Sequence, residues 1–188
     1  MINVDKNTFL DINLKAINKN YNIIKQIVGG KCIIAATVKA NAYGLGADQV
    51  VNSLIKKGCK YFFVATTNEA IYLRKLNKRI FIFILNGLVT KELKNIRKFN
   101  LIPVINNLVQ LKKIENYQEE NNCFLNIAIH FDTGMSRLGL DQNETENLIK
   151  NKALLIKKSK LRLIMSHLSC ADDKKSKLNK IQLNKFNF

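Results

Sequence analysis

Short apolar runs and amphipathic stretches take turns along the whole chain. The runs fall at Cys32–Val38, Tyr61–Ala65, Ile80–Leu85, Leu101–Ile105, Cys123–Ile129 and Leu161–His167. In each, apolar residues follow one another instead of alternating with polar ones, which is how strands buried on both faces read. The segments between them have helical period. Val50, Val51, Leu54 and Ile55 recur at helix spacing, and Gly58 follows as a C-terminal cap. Thr66-Thr67-Asn68-Glu69 has the form of a capping box and opens a helix in which Ala70, Leu73 and Leu76 share a face. A first helix is predicted from about Asn13 to Ile27, ending at the Gly29-Gly30 pair. Repeated strand-then-helix units predict an α/β fold with a parallel sheet and right-handed crossovers. A doubly wound sheet and a (β/α)8 TIM-type barrel both fit, and periodicity does not choose between them. A closed barrel needs eight strands and typically about 250 residues, so with six strands a barrel would be incomplete.

Composition changes this picture little. The formal charge of +17 raises the question of a nucleic-acid partner. The basic residues, however, are scattered at helix-surface spacing, and Lys, Asn and Ile are abundant together, as an AT-rich coding background produces. The densest run, Asp172-Asp173-Lys174-Lys175-Ser176-Lys177, mixes signs and reads as a solvated helix start. No nucleic-acid partner is expected. The longest apolar stretch, Ile80 to Leu85, is far too short to cross a bilayer. The opening Met-Ile-Asn-Val-Asp-Lys lacks the pattern of a secretory signal. The expectation is a cytoplasmic protein with no membrane partner. Cys32, Cys59, Cys123 and Cys170 lie far apart without a CxxC pair, so neither a metal site nor a disulfide framework is expected. Three of them sit in apolar contexts and read as small core residues; Cys170, just past His167, has a plausible functional neighbourhood.

The candidate chemistry begins at Lys39, which ends the first apolar run. At that end of an α/β strand a lysine points toward the face where such folds place their active sites. Ala40, Ala42, Gly44 and Gly46 surround it with small residues, leaving room for a bulky planar group, and Tyr43 offers a hydroxyl to a phosphate. A lysine that forms a Schiff base needs that space together with partial desolvation, which favours the neutral amine.

Val-Lys-Ala-Asn-Ala-Tyr-Gly at positions 38–44 resembles the cofactor-lysine motif of the alanine racemase family. Asp132-Thr133-Gly134-Met135-Ser136-Arg137-Leu138-Gly139 is similar to a second block of that family, and Ser166-His167-Leu168-Ser169-Cys170-Ala171-Asp172-Asp173 to a third. A weaker echo, Leu10-Asp11-Ile12-Asn13-Leu14-Lys15-Ala16-Ile17, matches its first strand and helix. The blocks span essentially the whole chain in order. The resemblance implies an incomplete (β/α)8 barrel of about six βα units over residues 1–188, without the family's C-terminal β-domain. It implies pyridoxal 5'-phosphate held as an aldimine on Lys39, with Lys39 as acid and base on one substrate face. Tyr43 would bind the phosphate, Arg137 would face the substrate carboxylate and the phenolic oxygen, and His167 would pack on the pyridine ring.

The implied activity is interconversion of L- and D-alanine, an isomerase step feeding peptidoglycan synthesis, in a homodimer whose second base, a tyrosine, comes from the partner's β-domain. Two departures accompany the match. Seven residues before Arg137, where many members carry a carboxylated lysine, stands His130, which forms no carbamate and is not assigned to catalysis. The chain also stops at Asn187-Phe188, inside the expected sixth helix, so a truncated frame or fragment is expected, with little activity alone. The rival readings are another amino-acid racemase of the same fold and a non-catalytic pyridoxal-phosphate-binding barrel.

Overall fold

The computed structural model describes residues 9–150 and 159–187. The chain opens on helix α1 (Leu14–Val28), whose cap Asn13 accepts from the Ala16 N–H at 3.1 Å. Strand β1 (Ala35–Thr37) follows, then a left-handed helical turn (Lys39–Tyr43) and α2 (Ala47–Lys56). From there strand and helix alternate: β2 (Tyr61–Val64), α3 (Thr67–Leu76), β3 (Phe81–Ile84), α4 (Leu93–Lys98), β4 (Ile102–Ile105) and α5 (Leu108–Glu120). The last described elements are β5 (Leu125–His130), α6 (Gln142–Lys150), β6 (Ser159–Met165) and α7 (Lys177–Phe186). The six described strands are all parallel, and their spatial order is their chain order.

That order decides between the two architectures the periodicity left open. A doubly wound sheet reverses its strand order at a switch point, whereas each strand here pairs with the next, the winding of a (β/α)8 barrel. The fold is six βα units of such a barrel.

Side-chain alternation along the strands separates two apolar layers. The larger lies between sheet and helices and includes Phe62, Val64, Ile82, Ile84, Ile127 and Ile129, all at or below 2% exposed. The smaller, on the opposite face, gathers Phe83, Ile102, Val104 and Ala128, with Tyr61, Phe63, Leu163 and Met165 against it. There Tyr61 stacks on Phe81 at 4.9 Å and Phe63 on Phe83 at 4.7 Å, within the range of favourable aromatic pairs.

The first-helix, capping-box and strand expectations stand within a few residues. Burial on both faces holds for β4 and most of β3 and β5, while β2 alternates buried and half-buried residues and β1 and β6 are largely uncovered. β1 and β6 are the outer strands of the described sheet, so among the described residues one flank of each has no neighbouring strand to cover it. Leu10-Asp11-Ile12 forms no strand, and Cys32 is exposed rather than core. Asp172–Ser176 form turns; the helix itself begins at Lys177. Among the described residues no helix is long and apolar enough to cross a membrane.

Candidate active site

The site is built from loops at the carboxyl ends of the strands. Val38 ends the first of them buried, and Lys39 follows half-buried. The backbone then does something the local sequence does not favour: Ala40, Asn41, Ala42 and Tyr43 all take positive φ, between 50° and 55°, before Gly44 at 84°. A left-handed conformation costs an ordinary residue roughly 1–2 kcal/mol, so four in succession persist only where the surroundings impose them. The turn is closed by its own backbone, Ala42 N–H to Val38 O at 2.9 Å and Gly44 N–H to Ala40 O at 2.9 Å. Asn41 Oδ1 accepts from the Ala47 N–H at 2.8 Å, tying the turn to the start of α2. Glu69 accepts from the Ala40 N–H at 2.7 Å. Lys39 Nζ lies 5.9 Å from the centre of the exposed Tyr43 ring.

A second loop leaves β5. Asp132 Oδ1 accepts three successive N–H groups, from Gly134, Met135 and Ser136, at 2.9, 2.9 and 3.0 Å. Burial works against its charge, but these three donors hold the carboxyl below its ordinary range. The loop returns on itself through Asp132 N–H to Leu140 O at 2.9 Å and Leu140 N–H to His130 O at 2.8 Å. Gly139 allows that closure: at φ 110°, a Cβ would stand 2.7 Å from the Asp132 nitrogen. The exposed Arg137 rides on this loop.

The third loop follows β6 and carries His167. Partial desolvation, then the positive charges of Arg137 and Lys39, hold this imidazole below the ordinary histidine value. His130, 6% exposed at the end of β5, is lowered by burial first, then by His167 and Arg137, with Asp132 opposing. Its tautomer can be assigned from its partner. Asn106 spends both amide hydrogens on the carbonyls of Leu85 (2.8 Å) and Val104 (3.1 Å), so its Oδ1 accepts from His130 Nδ1 at 2.9 Å. Nε2 of His130 is thereby left as a lone-pair acceptor.

His167 thus feels the charges of both Arg137 and Lys39, and Tyr43 stands beside Lys39. His130 belongs to the same cluster. The supports beneath them leave little trace in the sequence. Asn106 has one signal, a polar residue ending a buried strand. Glu69 carries only the signature of a helix cap. Gln182, 2% exposed on α7, donates to His167 O (2.9 Å) and Thr133 Oγ1 (3.2 Å) and accepts from Ser169 N–H and Oγ–H, both at 2.9 Å. With Thr133 Oγ1 also 2.7 Å from Ser166 Oγ, it clips the Arg137 loop to the His167 loop. Cys170, a free thiol, lies next to Ser169 at this clip without joining the cation cluster.

The family model for the alanine racemase N-terminal domain matches residues 12–188. An alanine racemase of Rickettsia prowazekii is 43% identical over 178 residues, which is 94% of this chain and 44% of that protein. An alanine racemase of Bartonella henselae, solved with covalently bound pyridoxal phosphate, superposes with a TM-score of 0.88 at 35% identity over 94% of this chain and 49% of that one. Alanine racemase of Clostridium difficile, solved in complex with cycloserine, superposes at 0.83 with 25% identity. The chain thus spans about half the length of the relatives it matches.

Proposed function

The chain belongs to the alanine racemase N-terminal-domain family, and from that premise we propose that it is the cofactor-carrying barrel part of an enzyme interconverting L- and D-alanine. The observation that carries this reading is the convergence of Lys39, Arg137 and His167 at the carboxyl ends of β1, β5 and β6. Pyridoxal 5'-phosphate fits the residues present. It needs an amine at the edge of solvent, cationic and hydroxyl partners for its phosphate and phenolic oxygen, and room for a flat ring. Lys39 is half-buried, Tyr43 and Arg137 are exposed, and beyond its chain neighbours no heavy atom lies within 4 Å of where a Cβ on Gly44 would stand.

When bound, the cofactor draws electrons from the substrate's Cα–H bond and makes that proton removable. Lys39 would hold the cofactor through Nζ until the substrate's amino group takes its place, and the nitrogen so freed would take and return the Cα proton on one face of the substrate. Arg137 orients the substrate carboxylate through its planar fork. Tyr43 would donate its hydroxyl to the phosphate, and His167 would pack on the ring. Both histidines sit below their ordinary values, so at neutral pH neither adds positive charge beside Arg137 and Lys39. Inversion also requires delivery of a proton to the opposite face by a second base. We assign that base to a partner subunit in a homodimer. The D-alanine formed would serve peptidoglycan synthesis in the cytoplasm.

The test is stereochemical. Protein containing this chain, supplied with pyridoxal phosphate and L-alanine, is expected to form D-alanine, and Lys39→Ala is expected to abolish it. Faster racemisation of another amino acid would overturn alanine as the substrate, and binding without turnover would favour a non-catalytic barrel.

A further inference from the structure

We propose that Glu69 is a positioning residue for Lys39: its carboxylate fixes the peptide plane through which Lys39 enters the left-handed turn. This rests on the reading of Lys39 as the reactive amine. Glu69 lies 30 positions downstream, at the start of α3, and is half-buried. Its two oxygens face two different loops. Oε2 accepts from the N–H groups of Ala65 (2.7 Å) and Thr66 (3.2 Å), the turn from β2 into α3. Oε1 accepts from the N–H of Ala40 at 2.7 Å.

The N–H of Ala40 belongs to the peptide unit that joins it to Lys39. Pinning this plane restricts ψ of Lys39 and with it the direction in which the lysine side chain leaves the backbone. Ala40 is also the first of the four left-handed residues, where the chain departs from the conformation its side chains prefer. An open pocket bounded by Val38, Asn41, Glu69 and Tyr72 borders the turn, which leaves a larger share of its positioning to directed hydrogen bonds. A carboxylate suits the task, since bonds to a charged acceptor are stronger than neutral ones and its two oxygens serve two loops at once. Glutamine has the same length but a single acceptor, and its amide group would turn hydrogens toward one set of N–H donors. A helix cap needs only the Oε2 half of this arrangement; the Oε1 half holds the lysine.

The experiment compares Glu69→Gln with Thr66→Ala in the intact chain. Thr66 Oγ1 accepts from the Glu69 N–H at 3.3 Å, so Thr66→Ala damages the same helix start while leaving the carboxylate on Ala40. Two readouts are taken: amide exchange at Ala40, and the share of borohydride-trapped pyridoxal phosphate carried by Lys39 relative to the other lysines. Glu69→Gln is expected to speed exchange at Ala40 about tenfold and to cut the Lys39 share severalfold, with other lysines unchanged. Thr66→Ala is expected to change neither. Equal loss of Lys39 labelling in both variants would overturn the proposal, since it would reduce Glu69 to a cap. So would a Lys39 share unchanged in Glu69→Gln, or a flattened label pattern with a lost far-UV helical signal. Wild-type label lying elsewhere would instead refute the reading of Lys39 itself, and the exchange rate at Ala40 tests the brace apart from that.

Discussion

Two buried glutamines form a matched pair at opposite ends of the barrel strands, and replacing each with leucine separates support of the site from support of the fold. Gln182, at the carboxyl ends, makes the four hydrogen bonds that join the His167, Ser169 and Thr133 loops. Gln118, 1% exposed at the amino ends, accepts from Leu125 N–H at 2.7 Å and donates to Ser159 Oγ at 3.0 Å, joining β5 and β6 where they begin. Leucine keeps much of the volume and removes the amide. A net hydrogen bond contributes about 0.5–1.5 kcal/mol. Thr133 keeps Ser166 as a partner, and Ser169 is exposed to water, so Gln182→Leu loses less than four full bonds, about 2–3 kcal/mol. Gln118→Leu strands buried groups on Leu125 and Ser159 and costs a similar amount, about 2–3 kcal/mol. At roughly 2–4 °C per kcal/mol for a domain of this size, both variants should melt several degrees below the parent. Only Gln182→Leu should weaken retention of pyridoxal phosphate, because the carboxyl ends of barrel strands carry chemistry and the amino ends stability. Melting curves and equilibrium dialysis measure the two effects. Equal loss of retention in both variants, or in neither, would refute the assignment of Gln182 to the site.

Arg137→Lys keeps a positive charge but not the two-point contact; kcat/KM for alanine should fall at least tenfold while the cofactor is retained, and normal kinetics would make the arginine a bystander. Gly139→Ala should cost about 2–4 kcal/mol, since the new methyl would meet backbone atoms at 2.7 and 2.9 Å. Gly58→Ala, with φ 92° but open space around it, should cost only about 1–2 kcal/mol, and equal urea midpoints would contradict this. The buried His130 titrates below the ordinary value of about 6.5, so between the two values the unfolded chain binds more protons than the native one. Stability is then full above that pH and falls as pH drops through it toward the folded value. The urea midpoint should decrease between pH 7.5 and 5.5, and less so in His130→Gln; a midpoint independent of pH would exclude the effect.

The strands and helices were legible because each rests on local pattern, and the candidates Lys39, Arg137 and His167 stand out in the sequence because each lies in a contiguous block. What the sequence hid was what acts across distance or against propensity. Ala-Asn-Ala-Tyr carries no glycine to announce four left-handed residues; the turn is imposed by partners such as Glu69, 29 positions beyond Ala40. Gln182 reaches Thr133 across 49 positions and looks, in sequence, like any polar residue on a charged helix. His130 could be read as a substitution but not as a fixed tautomer, since Asn106 lies 24 positions earlier on another strand. The exposed flanks of β1 and β6 were hidden because apolar runs record what a strand can bury, and strand order decides what covers it.

Lys39 is the residue to which we assign the cofactor. Incubation of the chain with pyridoxal phosphate, reduction with borohydride and peptide mapping should place the label on the peptide containing Lys39, and Lys39→Ala should remove that label together with the visible absorbance. Label distributed over the surface lysines, or concentrated on one of them in preference to Lys39, would contradict the account.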